Sequence, residues 1–202
     1  MPSPSLSLAQ PKLLLGEGVD EVRFFNALLS HLKIKDIQVI DYAGKSKLTP
    51  FLQTLPKTVG FSQLQKAAIT RDADNDWAGA FQSVCHGLQL AGLSIPATPH
   101  QTAVGPPAIR IYIIPDNANP GMLEDLCLAS VRAHPGYACV DNYFQCAAAA
   151  GRRPNNMSKA CVHAWLSSEV EPDKQLGVAA EAGYLPWHDP AFAPIINFVQ
   201  SL

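Results

Sequence analysis

The sequence predicts an α/β protein: a mostly parallel four-stranded sheet with helices on both faces, followed by a C-terminal helical extension. Three observations carry this. Apolar runs of strand length recur as "LLL", "DIQVIDY", "QKAAIT" and "IRIYIIP", each bounded by turn residues. Between them lie stretches whose apolar residues repeat at helical spacing. From Tyr137 onward the pattern is helical throughout.

Taken in order, "LLL" ends at Gly16 and Gly18, after which Val22, Phe25, Leu28, Leu29 and Leu32 mark one face of a helix. "DIQVIDY" returns to strand. A strand, a helix and a strand within about 30 residues form a βαβ unit, whose right-handed crossover makes the strands parallel. "LTPFLQTL" predicts a short helix, "QKAAIT" the third strand, and "WAGAFQSVCHGLQLAGL" a helix with Trp77, Phe81, Val84 and Leu88 on one side. "IRIYIIP" is the fourth strand, stopped by Pro115, and "GMLEDLCLASVRA" is helical. The helices "YACVDNYFQCAAAA", "NMSKACVHAWLSSEV", "KQLGVAAEAGY" and "PAFAPIINFVQSL" complete the chain. About 65 residues in short amphipathic pieces make a poor core of their own. The expected organisation is therefore a flexible lead over 1–10, an α/β domain over 11–135, and helices over 136–202 packed on that same domain.

A chain of 202 residues with 48% hydrophobic and 16% charged residues belongs with globular proteins, not disordered ones. No apolar run approaches the roughly 18 residues of a membrane span, and "MPSPSLSLAQPK" lacks the layout of an export signal, so the expected location is the cytoplasm. The net charge of -2 does not advertise a polyanion partner, so any such contact must be local. Five cysteines, none in a CxxC pair, predict buried free thiols.

Acidic residues gather at the carboxyl ends of the predicted strands. Glu17, Asp20 and Glu21 follow the first strand, Asp72, Asp74 and Asp76 the third, and Asp116, Glu124 and Asp125 the fourth. In a parallel sheet these ends share one edge, where ligands collect. Glu17 and Glu21 stand at helical spacing, while Asp72 and Asp74 on extended backbone would share a side at roughly 7 Å. Clustered carboxylates raise one another's pKa unless a cation compensates, and an all-oxygen set favours Mg²⁺ or Mn²⁺ over Zn²⁺. Either cluster by itself is ordinary helix capping and turn chemistry; the repetition at strand ends is what points to metal.

In their order, "GEGVDEVRFF", "DYAGKSKL", "DADND" and "IIPDNANPGMLEDL" resemble the Toprim domain of topoisomerases, primases and overcoming-lysogenization-defect nucleases. They are most similar to small stand-alone Toprim-like proteins. The resemblance covers roughly residues 12 to 130. It implies Glu17 as general acid/base or metal ligand, and Asp72 and Asp74 as a Mg²⁺ pair. Its nuclease branch implies further acids, matched by Asp20, Glu21 and Glu124, and a lysine, matched by Lys159. Asp76 joins the candidate metal set. The implied activity is nuclease cleavage of nucleic acid, DNA before RNA, in defence against foreign DNA and beside a separately encoded protein partner. A homodimer is compatible with this. The ATPase, helicase and primase modules that accompany Toprim domains elsewhere are not recognisable in this sequence.

"GKSK" at 44–47 is no Walker A motif, because Val39 stands where its first glycine belongs. Lys45 and Lys47 still follow the second strand and, with Arg71, are the candidate phosphate contacts. Cys139, Cys146, Cys161 and His163 match no zinc spacing. Two other functions use the same residues: a binding module without catalysis, and a phosphoesterase acting on a small phosphorylated metabolite.

Overall fold

The computed structural model describes residues 6–202. Four strands, β1 (Lys12–Gly16), β2 (Ile37–Asp41), β3 (Lys66–Asp72) and β4 (Ala108–Ile114), form one sheet in the order β2-β1-β3-β4. Every pairing is parallel. Parallel neighbours need crossovers, and α1 (Val19–Leu32), α2 (Leu48–Thr54) and α3 (Trp77–Leu90) supply them. Then follow α4 (Leu123–Val131), α5 (Tyr137–Ala149), α6 (Met157–Leu166), α7 (Leu176–Glu181) and α8 (Ala193–Gln200). No helix among the described residues is long and apolar enough to cross a membrane.

Side-chain alternation along the strands divides the core in two. Leu13, Leu15, Ile69, Ile111 and Ile113 face α2 and α3, where Leu52, Phe81, Val84 and Leu88 meet them. Leu14, Ala68, Tyr112 and Ile114 face the other way, against Phe24, Phe25 and Leu28 of α1 and against Val162, Leu176, Phe192 and Phe198 of the later helices. The C-terminal helices thus share one apolar cluster with the sheet, and with α1. Burying each of these large side chains stabilises the fold by about 1.5–3 kcal/mol.

α7 lies close against α1. A Cβ on Gly177 would fall 2.7 Å from Asp20 Oδ1 and 2.8 Å from Arg23 Cβ, so only glycine admits this approach. The Gly177 N–H also donates to Asp20 Oδ1 at 3.1 Å. Gly177→Ala is expected to push the helices apart at a cost of about 1–3 kcal/mol. Thermal unfolding checks it, at about 2–4 °C per kcal/mol for a chain of this size.

Residues 1–5 of the expected lead lie outside the described residues; within the rest of it, the Leu8 N–H donates to the Val59 carbonyl at 2.8 Å, and the Leu8 side chain is buried. The expectation of buried thiols needs correcting: Cys85, Cys127 and Cys161 are buried, but Cys139 and Cys146 are exposed. The reason is that α5 packs through one side only, burying Tyr137 and Val140.

Candidate functional site

The first acidic segment is shaped by the turn from β1 into α1. At Gly16 a Cβ would lie 2.9 Å from Glu21 Cβ, so the first turn of α1 folds back over the strand end only because Gly16 has no side chain. The Gly18 N–H donates to Glu21 Oε2 at 2.9 Å, satisfying one helix-end donor and fixing that carboxylate. Beneath the turn, Thr70 is fully buried; its hydroxyl donates to the Leu15 carbonyl at 2.8 Å, and Tyr42 donates to the Thr70 carbonyl at 3.0 Å. These bonds tie the ends of β1, β2 and β3 together.

Asp72 is the last residue of β3, and its Oδ1 accepts from the Leu123 N–H at 3.0 Å, at the start of α4. Beyond it the expected geometry changes. Asp74 does not continue the extended backbone: its φ is +50°, and it exchanges two backbone hydrogen bonds with Gly121, of 2.8 and 2.7 Å. The left-handed turn carries its carboxylate to the Lys45 ammonium, with which it pairs. Asp72 and Asp74 therefore engage different partners, the Leu123 N–H and the Lys45 ammonium. Asp76 caps α3, accepting from the Gly79 N–H at 2.9 Å, a use that its place at the helix start explains.

Glu17, Asp20, Glu21, Asp72 and Glu124 line one cleft of about 310 Å³ with Lys159. They arrive from the ends of β1 and β3 and from the start of α4. Gln175 and Leu176 of α7 line it too. No pattern in the sequence marks these two, since only the docking of α7 on α1 brings them there. The position of Lys159 depends on α6: the Ser158 hydroxyl donates to Asp125 Oδ1 at 2.5 Å, which fastens α6 to α4, and Lys159 Nζ lies 3.6 Å from Glu124 Oε1. Asp20 spends one oxygen on Gly177. Lys47 is exposed, and Arg71 is engaged by the Ser83 hydroxyl. Neither lines the cleft.

The carboxylates strain one another electrostatically. Asp72 is pushed up to about 8, chiefly by burial and then by the charges of Glu21, Glu17 and Glu124. Burial also raises Glu17, with Lys45 opposing and Glu21 adding to the rise, and it raises Glu21, against which hydrogen bonds to its own backbone and to Gly18 act. The Asp74 charge also raises Glu17, more weakly than burial and Glu21 do. Near neutrality Asp72 is therefore protonated in the metal-free protein.

Glu17 Oε2 is buried with no hydrogen-bond partner, which is costly for a carboxylate and suits an oxygen kept for a ligand. The donor set, all oxygen and anionic, fits a hard divalent cation. Among the described residues no three of His, Cys, Asp and Glu stand close enough to enclose one ion as they are. The carboxylates ring an open space, and ligation requires them to turn inward and Asp72 to lose its proton.

No curated protein matches the chain. Solved structures of the C-terminal region of the Xanthomonas campestris pv. campestris OLD protein are similar to it. The mercury-phased structure is 15% identical over 87% of this chain and 80% of that one, with TM-score 0.40. The iodine-phased structure has the same identity and coverage with TM-score 0.41. The platinum-phased structure is 13% identical over 96% and 98%, with TM-score 0.44. The family model described as protein of unknown function (DUF3226) matches residues 11–202, and the chain belongs to that family.

Proposed function

We propose that the protein is a Toprim-type hydrolase that uses Mg²⁺ or Mn²⁺ on phosphodiester bonds of nucleic acid, DNA before RNA. One observation carries this reading: Asp72, Glu17, Glu21 and Glu124 line a single cleft at the carboxyl edge of a parallel sheet, three of them with raised pKa values. The order of the acidic motifs supports it as well.

Glu17 and Asp72 would hold the ion, with Glu21 and Glu124 assisting. Bound there, the ion supplies a Lewis acid for a phosphoryl oxygen and lowers the pKa of water. Burial keeps Glu17 basic, so its carboxylate would serve either as a ligand through Oε2 or as the base that takes a proton from the attacking water. Lys159, mostly exposed and only loosely paired with Glu124, can turn to a phosphate oxygen and neutralise its charge. Asp74 and Lys45 pair with each other near enough to act on the Glu17 charge. A phosphate arriving there can take Lys45 in exchange.

A second reading, hydrolysis of a small phosphate ester, is favoured by the walls of the cleft. α7 is pinned to α1 beside it, and 310 Å³ is of small-ligand size. Incubation of the protein with supercoiled plasmid and Mn²⁺ tests the proposal, with Asp72→Asn and Glu17→Gln beside the wild type. Nicking lost in both variants is the expected result. An untouched plasmid with metal-dependent release of phosphate from small esters favours the second reading. Silence in both assays contradicts the two alike.

A further inference from the structure

Away from the acidic cleft, the edge strand β4 carries a cation without a counter-ion. Arg110 pairs in register with Ala68, about 13 Å short of Ile114 at the carboxyl end of the strand. Its guanidinium stands over the Phe198 ring of α8, with Cζ 5.0 Å from the ring centroid. Among the described residues no carboxylate lies within ion-pairing distance of it. Its Nε is buried and makes no hydrogen bond. Burial lowers its pKa and no neighbouring charge offsets this. Packing over an aromatic ring explains the position of the guanidinium but leaves an uncompensated, partly buried charge.

Arg110 lines a pocket of about 280 Å³ with His100, Tyr112, Asp116, Asn197 and Ser201. Three of these are already engaged. The Tyr112 hydroxyl donates to the Pro115 carbonyl at 2.8 Å, and Ser201 donates to the Phe198 carbonyl at 2.6 Å. Asp116 accepts from the Ala118 and Asn119 N–H groups and from Asn119 Nδ2, at 3.0, 2.8 and 2.7 Å; these bonds engage both its oxygens on its own turn and hold its pKa down, so it stays an anion in the lining. Arg110, the Asn197 amide and the His100 imidazole remain as donors. They come from β4, from α8 and from the segment before β4. Donor-bearing residues from three elements line one space, an arrangement that suits an anion with several acceptor oxygens, such as phosphate.

We propose that the Arg110 pocket is a binding site for a phosphate group, held by the guanidinium with Asn197 and His100 as further donors. It goes beyond the hydrolase reading and stands on different residues. The phosphate can belong to a small molecule or to the end of a nucleic-acid strand.

Calorimetric titration of the metal-stripped full chain tests this, with inorganic phosphate, a 5′-phosphorylated dinucleotide, and the same dinucleotide without its phosphate. Saturable binding that requires the phosphate is expected in the wild type. Arg110→Met, which keeps an unbranched stem over Phe198, should weaken it about tenfold or more. Binding of inorganic phosphate assigns the site to small phosphates, whereas binding of the phosphorylated dinucleotide alone assigns it to strand ends; either supports the site. Absence of phosphate-dependent binding in the wild type, or equal binding by Arg110→Met, overturns it. Should Arg110→Met fail to fold, Asn197→Ala carries the same test: weakened binding supports the site and unchanged affinity overturns it.

Discussion

Asp72→Asn is expected to lower divalent-cation-dependent hydrolysis about 10³-fold or more while making the metal-free protein more stable at pH 8. The two effects have one origin. Asp72 is held among three other carboxylates at the edge of the sheet, and its pKa is pushed up to about 8 from an ordinary 3.8. Asparagine keeps an oxygen for the Leu123 N–H, so the start of α4 stays in place. It removes the negative oxygen that a cation needs and the charge that Glu17, Glu21 and Glu124 oppose. Losing a direct ligand costs more than the 10–100-fold typical of groups that only orient ligands.

The pH dependence of stability follows with a definite sign. Below about pH 4 Asp72 is protonated in both the folded and the unfolded chain, and its contribution is fully present. Between about pH 4 and 8 the unfolded chain has released that proton and the folded chain has not, so stability falls as pH rises, by up to about 1.4 kcal/mol per unit. Glu17 and Glu21, also raised, act in the same direction. Subtracting the wild type from Asp72→Asn isolates the Asp72 share. Thermal unfolding in the absence of metal should show the variant ahead by up to about 5 kcal/mol at pH 8 and nearly level at pH 4. A gap that stays constant with pH would contradict this origin.

The affinity for Mn²⁺ is expected to rise about tenfold from pH 6 to 7 and about fivefold from pH 7 to 8, and to level off above. In that window a cation must displace the Asp72 proton, and each unit of pH lowers the cost of doing so. Titrations of Mn²⁺ at stepped pH check it. An affinity flat across this range would mean that the ion does not use Asp72.

Much of the fold was legible because a sheet covered on both faces writes its strands as apolar runs, and "IRIYIIP" and "QKAAIT" are β4 and β3 to within a residue or two. Parallel topology then placed Glu17, Asp72 and Glu124 on one edge without further information. Local backbone chemistry was harder to read. A period of two assumes extended residues, and Asp74 leaves that region through the left-handed turn that pairs it with Gly121. Asp76 could be a cap or a ligand by sequence, and only the folded turn shows it capping α3. The α7 wall was invisible, since Gly177 meets Asp20 across nearly the whole chain. Arg110 reads in the sequence as an ordinary strand residue; its missing counter-ion is a tertiary fact.

Calorimetry of Mg²⁺ or Mn²⁺ binding at pH 7, repeated in buffers of different ionisation enthalpy, counts the protons released as the ion enters. About one proton per ion is expected for the wild type, and none for Asp72→Asn. Binding without proton release, or the same release from the variant, would contradict a cation site built on the crowded carboxylates of this edge.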